Sequence, residues 1–230
     1  MRVLPCGERA VLVEVDGLPE VLRLYAALRA DPPPGSGELV PAARTLLVGF
    51  DPRTVSSQAL AAEVARRLGE PGAGEPGAGQ PGTGVPAAGS PPERSDPLAA
   101  GPDVNVEIPV VYDGEDLDEV AGRAGLTVPA LVEAHTRPAY TSAFCGFAPG
   151  FAYLTGLDPA LHVPRRETPR TKVPAGAVAV ADEFTAVYPA RSPGGWRILG
   201  HTELPVWDVD RDPPTLLAPG TRVRFVEVTS

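Results

Sequence analysis

GFAPGFAYLTGL (146–157) and YPARSPGGW (188–196) are two segments that combine closely spaced glycines and prolines with aromatic residues. Glycine allows sharp turns and close approach of a ligand or a second backbone, and proline stiffens such turns. Between them, RRETPRTKVPAG (165–176) places four basic residues in a chain of net charge −9. This combination is compatible with a pocket for a small anionic or amide ligand. It is equally compatible with tight turns in a small β-barrel whose aromatic residues form the core.

Short strand candidates surround these two segments at regular spacing, with turn residues between them. Such a pattern predicts an all-β barrel or sandwich. The candidate strands are 138–144, 151–154, 177–182, 184–189, 196–199, 204–208 and 221–228. Two helical segments precede them, Asp116–Ala124 and Val128–His135, and Thr127 is suited to cap the second helix.

The first half of the chain mixes strand and helix patterns. The helix at 19–30 has a proline in its first turn and apolar residues at helical spacing. In order, the elements are strand 10–15, helix 19–30, strand 37–41, strand 44–50, helix 54–68 and strand 104–112. This order predicts a split βαβ, ferredoxin-like arrangement in which strand 104–112 completes the sheet.

Residues 70–89 form four pentads rich in glycine and proline, with almost no side chains to bury. Such a segment cannot offset the entropy that it would lose on ordering, so we predict a disordered loop at about 70–102. We place this loop inside an α+β N-terminal domain, residues 1–112, which is followed by a barrel domain, residues 113–230. An alternative places the domain boundary at the loop itself.

The composition argues against several classes of function. A net charge of −9 and a pI near 4.9 provide no basic surface for nucleic acid or an anionic membrane. There is neither a signal peptide pattern nor a run of about 18 apolar residues, so the cytoplasm is the predicted compartment.

The sequence also lacks the usual metal and cofactor motifs. Cys6 and Cys145 belong to no CxxC pair, and the three histidines do not have metal-ligand spacing. No phosphate-binding loop, dinucleotide fingerprint or nucleophile elbow occurs. We therefore predict no metal site, and no cofactor for the isolated chain.

A few polar residues are candidates for chemistry. Arg170 and Lys172 lie in a proline-stiffened segment and suit a carboxylate or phosphate ligand, whereas Arg165 and Arg166 fit a solvated surface. Ser192 could donate a hydrogen bond, but nothing local would activate it as a nucleophile. We predict that His135 lies at the C-terminus of a helix. A polar residue at such a position can have a purely structural role.

Four segments, GFAPGFAYL, TPRTKVPAGAVAV, YPARSPGGW and ILGHTELPVWD, strongly resemble one family. That family comprises the B-type subunit of bacterial 5-oxoprolinase, allophanate hydrolase subunit 1 and an inhibitor of a sporulation histidine kinase. The resemblance covers the chain apart from the pentads, and it implies an α+β fold. A small ferredoxin-like N-terminal domain would precede a cyclophilin-like β-barrel. The chain departs from the family at Gly7-Glu8, where Gly-Asp is more usual, and at His201, where many relatives carry a different polar or basic residue.

The resemblance implies a subunit of ATP-dependent 5-oxoprolinase, which converts 5-oxo-L-proline to L-glutamate. The hetero-oligomeric complex would use ATP with Mg and would add an allophanate hydrolase subunit 2-type partner chain and a lactam-hydrolysing subunit. In this hypothesis Arg170 and Lys172 hold the small-molecule substrate or a phosphoryl group, and His135 assists proton transfer. The pocket walls would be Phe147, Tyr153 and Trp196, and the pocket turns Gly146, Pro149, Gly150, Pro193, Gly194 and Gly195.

Two other functions are compatible with the same resemblance. One is a carboxyltransferase-type subunit of allophanate hydrolase or urea carboxylase. The other is a non-catalytic inhibitor of a sensor histidine kinase, which the missing nucleotide motif favours.

Overall fold

The computed structural model describes residues 1–69 and 105–229, which form two compact units. The first unit holds most of residues 1–69, and the second holds residues 105–229. The loop predicted at about 70–102 lies outside the described residues.

The first unit is a four-stranded sheet with two helices. Its elements are β1 (Arg2–Pro5), β2 (Ala10–Glu14), α1 (Leu18–Ala30), β3 (Ser36–Pro41), β4 (Thr45–Phe50) and α2 (Ser57–Gly69). The strand order is β1-β2-β4-β3, and α1 packs against β4 while α2 packs against β2. Local sequence explains both helices. Pro19 lies in the first turn of α1, and the Ser56 hydroxyl at the start of α2 accepts a hydrogen bond from the Ala59 amide at 3.2 Å.

The second unit begins with one strand and two helices and continues as short strands. Its elements are β5 (Asn105–Val110), α3 (Leu117–Ala124), α4 (Val128–Thr136), β6 (Tyr140–Cys145), β7 (Ala152–Thr155), a short 3-10 helix (Pro159–Leu161), β8 (Arg170–Val173), β9 (Ala177–Ala181), β10 (Phe184–Val187), β11 (Ser192–Gly194), β12 (Arg197–His201) and β13 (Arg222–Glu227). As predicted, Thr127 caps α4 and accepts from the Ala130 amide at 3.4 Å.

Seven of these strands form a nearly closed barrel in the order β12-β9-β10-β7-β6-β13-β5. An isolated bridge joins the two ends of this order. The amides of Val111 and His201 each donate to the other's carbonyl at 2.9 Å. α3 packs against β12 and α4 against β13, so the helices cover one part of the barrel. The predicted α+β class, with a small N-terminal domain followed by a barrel, is therefore confirmed.

The sheet partner of β5 differs from the prediction. We expected strand 104–112 to complete the first sheet, but β5 pairs in parallel with β13, in register from Asn105↔Arg222 to Val110↔Glu227. In the first sheet, β1 pairs with β2 and occupies the edge that the predicted strand would have taken. The prediction failed because β1, only four residues long, had no recognisable strand pattern of its own.

Three smaller differences concern the strands of the second unit. β8 and β11 were not predicted, and they form a separate two-stranded sheet. The expected strand at 204–208 is absent from the described structure, where Trp207 makes only an isolated bridge with Thr215.

Candidate functional site

The β8–β11 ribbon brings several predicted site residues together. Ser192 pairs with Val173 and Gly194 pairs with Arg170, with a register shift between the two pairs. Residues that lie about twenty positions apart in sequence thereby become neighbours. The predicted Pro193-Gly194-Gly195 turn is wrong in part, because Pro193 and Gly194 belong to β11.

Gly194 is required in this ribbon by its surroundings. A Cβ at this position would clash with the hydroxyl group and ring of Tyr188, which is buried. The next residue, Gly195, accepts a hydrogen bond from the Arg166 amide at 2.8 Å. Gly194 therefore allows β11 to lie against an aromatic ring, and the Gly195 carbonyl joins the chain after β11 to the basic segment.

The predicted aromatic walls form one cluster, centred on Phe151. Its ring lies 5.3 Å from Phe147, 5.2 Å from Tyr153, 5.1 Å from Tyr188 and 5.4 Å from Trp196. Trp196 is only 4% exposed, whereas Phe147 is 61% exposed. Most of this cluster is therefore barrel core, and Phe147 is the member that reaches solvent most fully.

A tight loop between β6 and β7 presents Phe147 outward. The Gly146 amide donates to the Phe151 carbonyl at 3.1 Å, and the Ala148 amide donates to the Gly146 carbonyl at 2.8 Å. Phe147 has φ of 67°, a left-handed value that is costly for a bulky side chain. Pro149 is exposed in the same loop and Gly150 is buried.

Arg170 is not a free cation but part of a buried ion-pair cluster. Its guanidinium donates to Glu115 Oε2 at 3.1 Å and to Asp116 Oδ1 at 2.8 Å. Asp116 also accepts from Arg166 at 2.8 Å and from the Ile198 amide at 2.7 Å. This carboxylate therefore ties the start of α3 to β8, to β12 and to the basic segment that precedes β8.

The charge of Asp116 is stabilised by these donors. Its side chain is 3% exposed, and burial by itself would raise its pKa. Hydrogen bonds from Arg170 and the Ile198 amide, with the charges of Arg170 and Arg166, instead hold the pKa of Asp116 below its ordinary value. The carboxylate therefore stays ionised at neutral pH.

Lys172 and Ser192 are the accessible polar residues of the ribbon. Lys172 is exposed and has no ion pair within residues 1–69 and 105–229. The Ser192 hydroxyl is half-buried and donates to the Ala190 carbonyl at 3.3 Å. Of the two basic residues predicted to bind substrate, only Lys172 keeps its charge unpaired.

His135 lies at the end of α4 in the barrel core and has no exposed surface. Its Nδ1 lies 2.7 Å from the Tyr112 hydroxyl, and its Nε2 lies 2.9 Å from Thr185 Oγ1. The Phe225 ring packs against it, with the ring centroids 4.5 Å apart. Burial lowers the pKa of His135 to about 3. These contacts favour a structural role, and the catalytic role stays a prediction.

The hydrogen bonds assign the tautomer of His135. The Thr185 hydroxyl donates to the Ala179 carbonyl at 3.1 Å, so its oxygen accepts from His135 Nε2–H. Nδ1 is then the acceptor, and the Tyr112 hydroxyl donates to it. Burial, followed by the charge of Glu227, raises the pKa of Tyr112, which keeps this donor protonated.

Sequence reasoning did not single out Asp116, Glu115, Glu119 or Arg197. At the start of a helix, Glu115 and Asp116 look like ordinary favourable charges near the helix dipole. Their contact with Arg170 depends on a strand pair far along the chain, and no local signal reports it.

Within the two described ranges, no group of three or more His, Cys, Asp or Glu residues is arranged to hold a metal ion. The helices in these same ranges are all too short or too polar to cross a membrane. Burial raises the pKa of the Cys145 thiol, which disfavours the thiolate form that a nucleophile would need.

The protein is of the α+β class, with a small α/β sheet unit followed by a nearly closed barrel. The barrel unit carries a polar ribbon and a buried arginine–carboxylate cluster. The chain belongs to the carboxyltransferase domain family, subdomain C and D, whose model matches residues 1–217.

Three bacterial proteins described as B-type subunits of 5-oxoprolinase are similar to this chain. The protein from Escherichia coli O157:H7 is 50% identical over 124 residues, which are 53% of this chain and 57% of that protein. The Haemophilus influenzae protein is 45% identical over 125 residues, or 53% of this chain and 59% of that protein. The Bacillus subtilis protein is 42% identical over 127 residues, or 54% and 53%. The matched segment thus spans little more than half the length of these relatives.

Solved structures extend the similarity over nearly the whole chain. The protein TTHA0988 is 38% identical with a TM-score of 0.70, and the match covers 96% of this chain and 40% of that one. The uncharacterised protein PH0987 from Pyrococcus horikoshii is 33% identical with a TM-score of 0.54, and the coverage is 100% and 98%. The Kluyveromyces lactis urea amidolyase shares the fold, at 18% identity and a TM-score of 0.64, over 99% of this chain and 15% of that one.

Proposed function

We propose that this chain is a subunit of an ATP-dependent 5-oxoprolinase, which opens the lactam of 5-oxo-L-proline to give L-glutamate. The observation that carries the proposal is the 50% identity over 124 residues to the B-type 5-oxoprolinase subunit of Escherichia coli O157:H7. Partner chains of the allophanate hydrolase subunit 2 type and of a lactam-hydrolysing type complete the assembly.

The β8–β11 ribbon supplies the proposed substrate contact. Lys172 has an exposed ammonium group without an ion pair in the described structure, and it lies on the strand that pairs with β11. A carboxylated lactam offers an acceptor that suits this cation. Arg170 is engaged by Asp116 and Glu115, so its proposed role is to hold the ribbon in place rather than to bind substrate alone.

ATP and Mg are assigned to the assembled complex. ATP would supply activation of the amide oxygen. This chain would contribute substrate orientation through Lys172 and a rigid barrel wall beside it.

The direct test is reconstitution of the complex. The chain is co-expressed with its genomic neighbours of the same family, and ATP-dependent release of glutamate from 5-oxo-L-proline is measured. We expect activity that needs every chain. A stable complex that hydrolyses no 5-oxoproline would overturn the proposal.

A lysine variant tests the substrate contact. Loss of a charge-assisted hydrogen bond costs about 1.5–3 kcal/mol, so Lys172→Ala should lower kcat/KM by roughly 10- to 100-fold. Arg224→Ala is the matched control, because Arg224 is an exposed cation on β13 of the same barrel, away from the β8–β11 ribbon. Equal activities of the two variants would remove Lys172 from the site.

A carboxyltransferase subunit for a urea-type amide is the second candidate, because the family itself is described as a carboxyltransferase domain. The same purified complex distinguishes the two. Turnover that requires urea, bicarbonate and a biotin-bearing partner, with no release of glutamate, would favour this alternative.

A further inference from the structure

The barrel unit carries an open pocket of about 510 Å³ that is rich in arginine. It lies between one side of α3, the segment before β8 and the start of β12. The lining residues are Glu119, Arg123, Pro164, Arg165, Arg166, Glu167, Thr168 and Arg197. Four arginines face two glutamates, so the lining is cationic although the chain carries a net charge of −9.

Arg197 is the most firmly held of these arginines. Its side chain is 6% exposed, its Nη1 donates to Glu119 Oε2 at 2.6 Å, and its Nε donates to the Pro164 carbonyl at 3.0 Å. Its Nη2 makes no hydrogen bond with the described parts of the chain. A buried, fixed guanidinium with an unused donor group therefore lines the pocket.

Arg166 and Arg165 bring further donors. Arg166 Nη1 is held at 2.8 Å by the buried Asp116, and no other side-chain hydrogen bond of Arg166 is formed with the described residues. Arg165 lies over the Trp196 ring, 5.8 Å from its centroid, and its Nε is 3.6 Å from Asp182. That ion pair is long and exposed on both sides, so it offers little competition to a ligand.

The two glutamates offset two of the four positive charges of the lining arginines. Glu119 is bound through both oxygens, one by Arg197 and the other by Arg123 at 3.0 Å, so it holds two arginines in place. Glu167 is exposed and makes no ion pair with the part of the chain that the structure describes. Asp116 lies behind Arg166 and is shared with Arg170.

We propose that this pocket is a binding site for a small oxyanion, a carboxylate or a phosphate group. Both groups are acceptors with the spacing that the planar guanidinium fork matches through paired hydrogen bonds. Because the arginines are already fixed by carboxylates and a backbone carbonyl, little entropy is lost when the anion binds. Lys172 does not line this pocket, so the inferred site goes beyond the substrate contact of the proposed function.

The binding test uses the chain alone. Inorganic phosphate and 5-oxo-L-proline are titrated separately at constant ionic strength against sodium chloride. Binding is followed by calorimetry and by the fluorescence of a Trp207→Phe chain, in which Trp196 is the remaining tryptophan. We expect saturable binding of at least one probe, with a fluorescence change because Arg165 lies on the Trp196 ring. Phosphate binding identifies a phosphoryl ligand, and 5-oxoproline binding identifies a carboxylate.

Arg165→Gln is the decisive variant. The Arg165 side chain is 56% exposed, so its replacement leaves the fold intact. Arg166→Gln would also disturb the buried Asp116, and Arg197→Lys would replace a buried guanidinium. Loss of one charged hydrogen-bond donor should weaken binding about tenfold or more. The control is Arg137→Gln, since Arg137 is similarly exposed and pairs with Asp158 outside the pocket.

Binding that is weakened in Arg165→Gln and unchanged in Arg137→Gln supports the site. The inference is overturned if neither probe binds beyond the chloride control. It is overturned equally if Arg165→Gln binds as tightly as the unaltered chain. These results do not depend on the reconstituted complex, so failure of the proposed 5-oxoprolinase function would be seen separately.

Discussion

His135 and Asp116 are both buried titratable residues, and the barrel stabilises opposite charge states of them. Asp116 is surrounded by two guanidinium groups and an amide, so the ionised form is favoured. His135 has only neutral partners, Tyr112 and Thr185, and the charged form would be buried without compensation. Each residue therefore makes the folded state sensitive to acid.

The stability of the barrel should fall below neutral pH because of His135. The histidine has an ordinary pKa of 6.5, and burial lowers it to about 3 in the folded chain. Between these values the unfolded chain binds more protons, so the stabilisation is complete above about pH 6.5. It is lost toward pH 3, with a slope of up to about 1.4 kcal/mol per pH unit.

Urea unfolding between pH 7.5 and 5, followed by tryptophan fluorescence, measures this slope. This pH range lies above 3.8, the ordinary pKa of Asp116, so protonation of Asp116 does not contribute to the measured slope. His135→Gln should remove the slope and lower stability, because Gln does not titrate. His162→Gln is the control, since it removes an exposed histidine by the same substitution. A slope that persists in His135→Gln contradicts the argument.

At the scale of the element, local patterns explain what the sequence could and could not predict. The helices were found because their signals are local, as with Pro19 in α1 and Thr127 before α4. The partner of β5 was wrong because pairing depends on residues far away in the chain. The ribbon was missed because β8 and β11 have four and three residues and no regular alternation.

In the candidate site too, local sequence signals were informative and contacts between distant residues were missed. The glycine- and aromatic-rich segments did mark one cluster, and Arg170 and Gly194 are indeed neighbours. The sequence did not predict that Asp116, at the start of α3, forms an ion pair with Arg170. The charges within one segment do not indicate which carboxylate from a distant part of the chain will pair with them.

The ribbon should be sensitive to any side chain at Gly194. Gly194→Ala would force its Cβ against the Tyr188 ring and hydroxyl, and we expect a loss of about 1–3 kcal/mol in the free energy of unfolding. Gly122→Ala, in α3, meets open space and should stabilise the chain by up to about 1 kcal/mol. Urea unfolding compares them, and equal effects would refute the packing argument.

At the scale of the molecule, the described residues form two units, each with its own sheet and core. The first unit holds an open four-stranded sheet. The barrel is closed by the Val111–His201 bridge and by the amides of Gly114 and Asp116, which donate to the carbonyls of Leu199 and Ile198. Gly200 makes this bridge possible, because a Cβ there would clash with the Val111 carbonyl. The Val111–His201 bridge therefore depends on a residue without a side chain at position 200.

Gly200→Ala should open this seam without affecting the first unit. We expect at least a tenfold faster amide hydrogen exchange at Val111 and His201, which corresponds to about 1.4 kcal/mol of lost protection. The amides of β2 and β4, in the other unit, serve as the internal control and should be unchanged. Unaltered exchange at both bridge amides would show that the seam tolerates a side chain.

The parallel pair of β5 and β13 has a consequence for biosynthesis. A ribosome delivers Asn105 long before its partner Arg222, so β5 emerges with no strand to pair with. During that interval the apolar side chains of Ile108 and Val110, which end fully buried, have no core to enter. The first unit pairs strands that are close in sequence and folds in the meantime. The nascent chain therefore carries a completed sheet and an incomplete barrel, and the edge of β5 stays unpaired until β13 has been made.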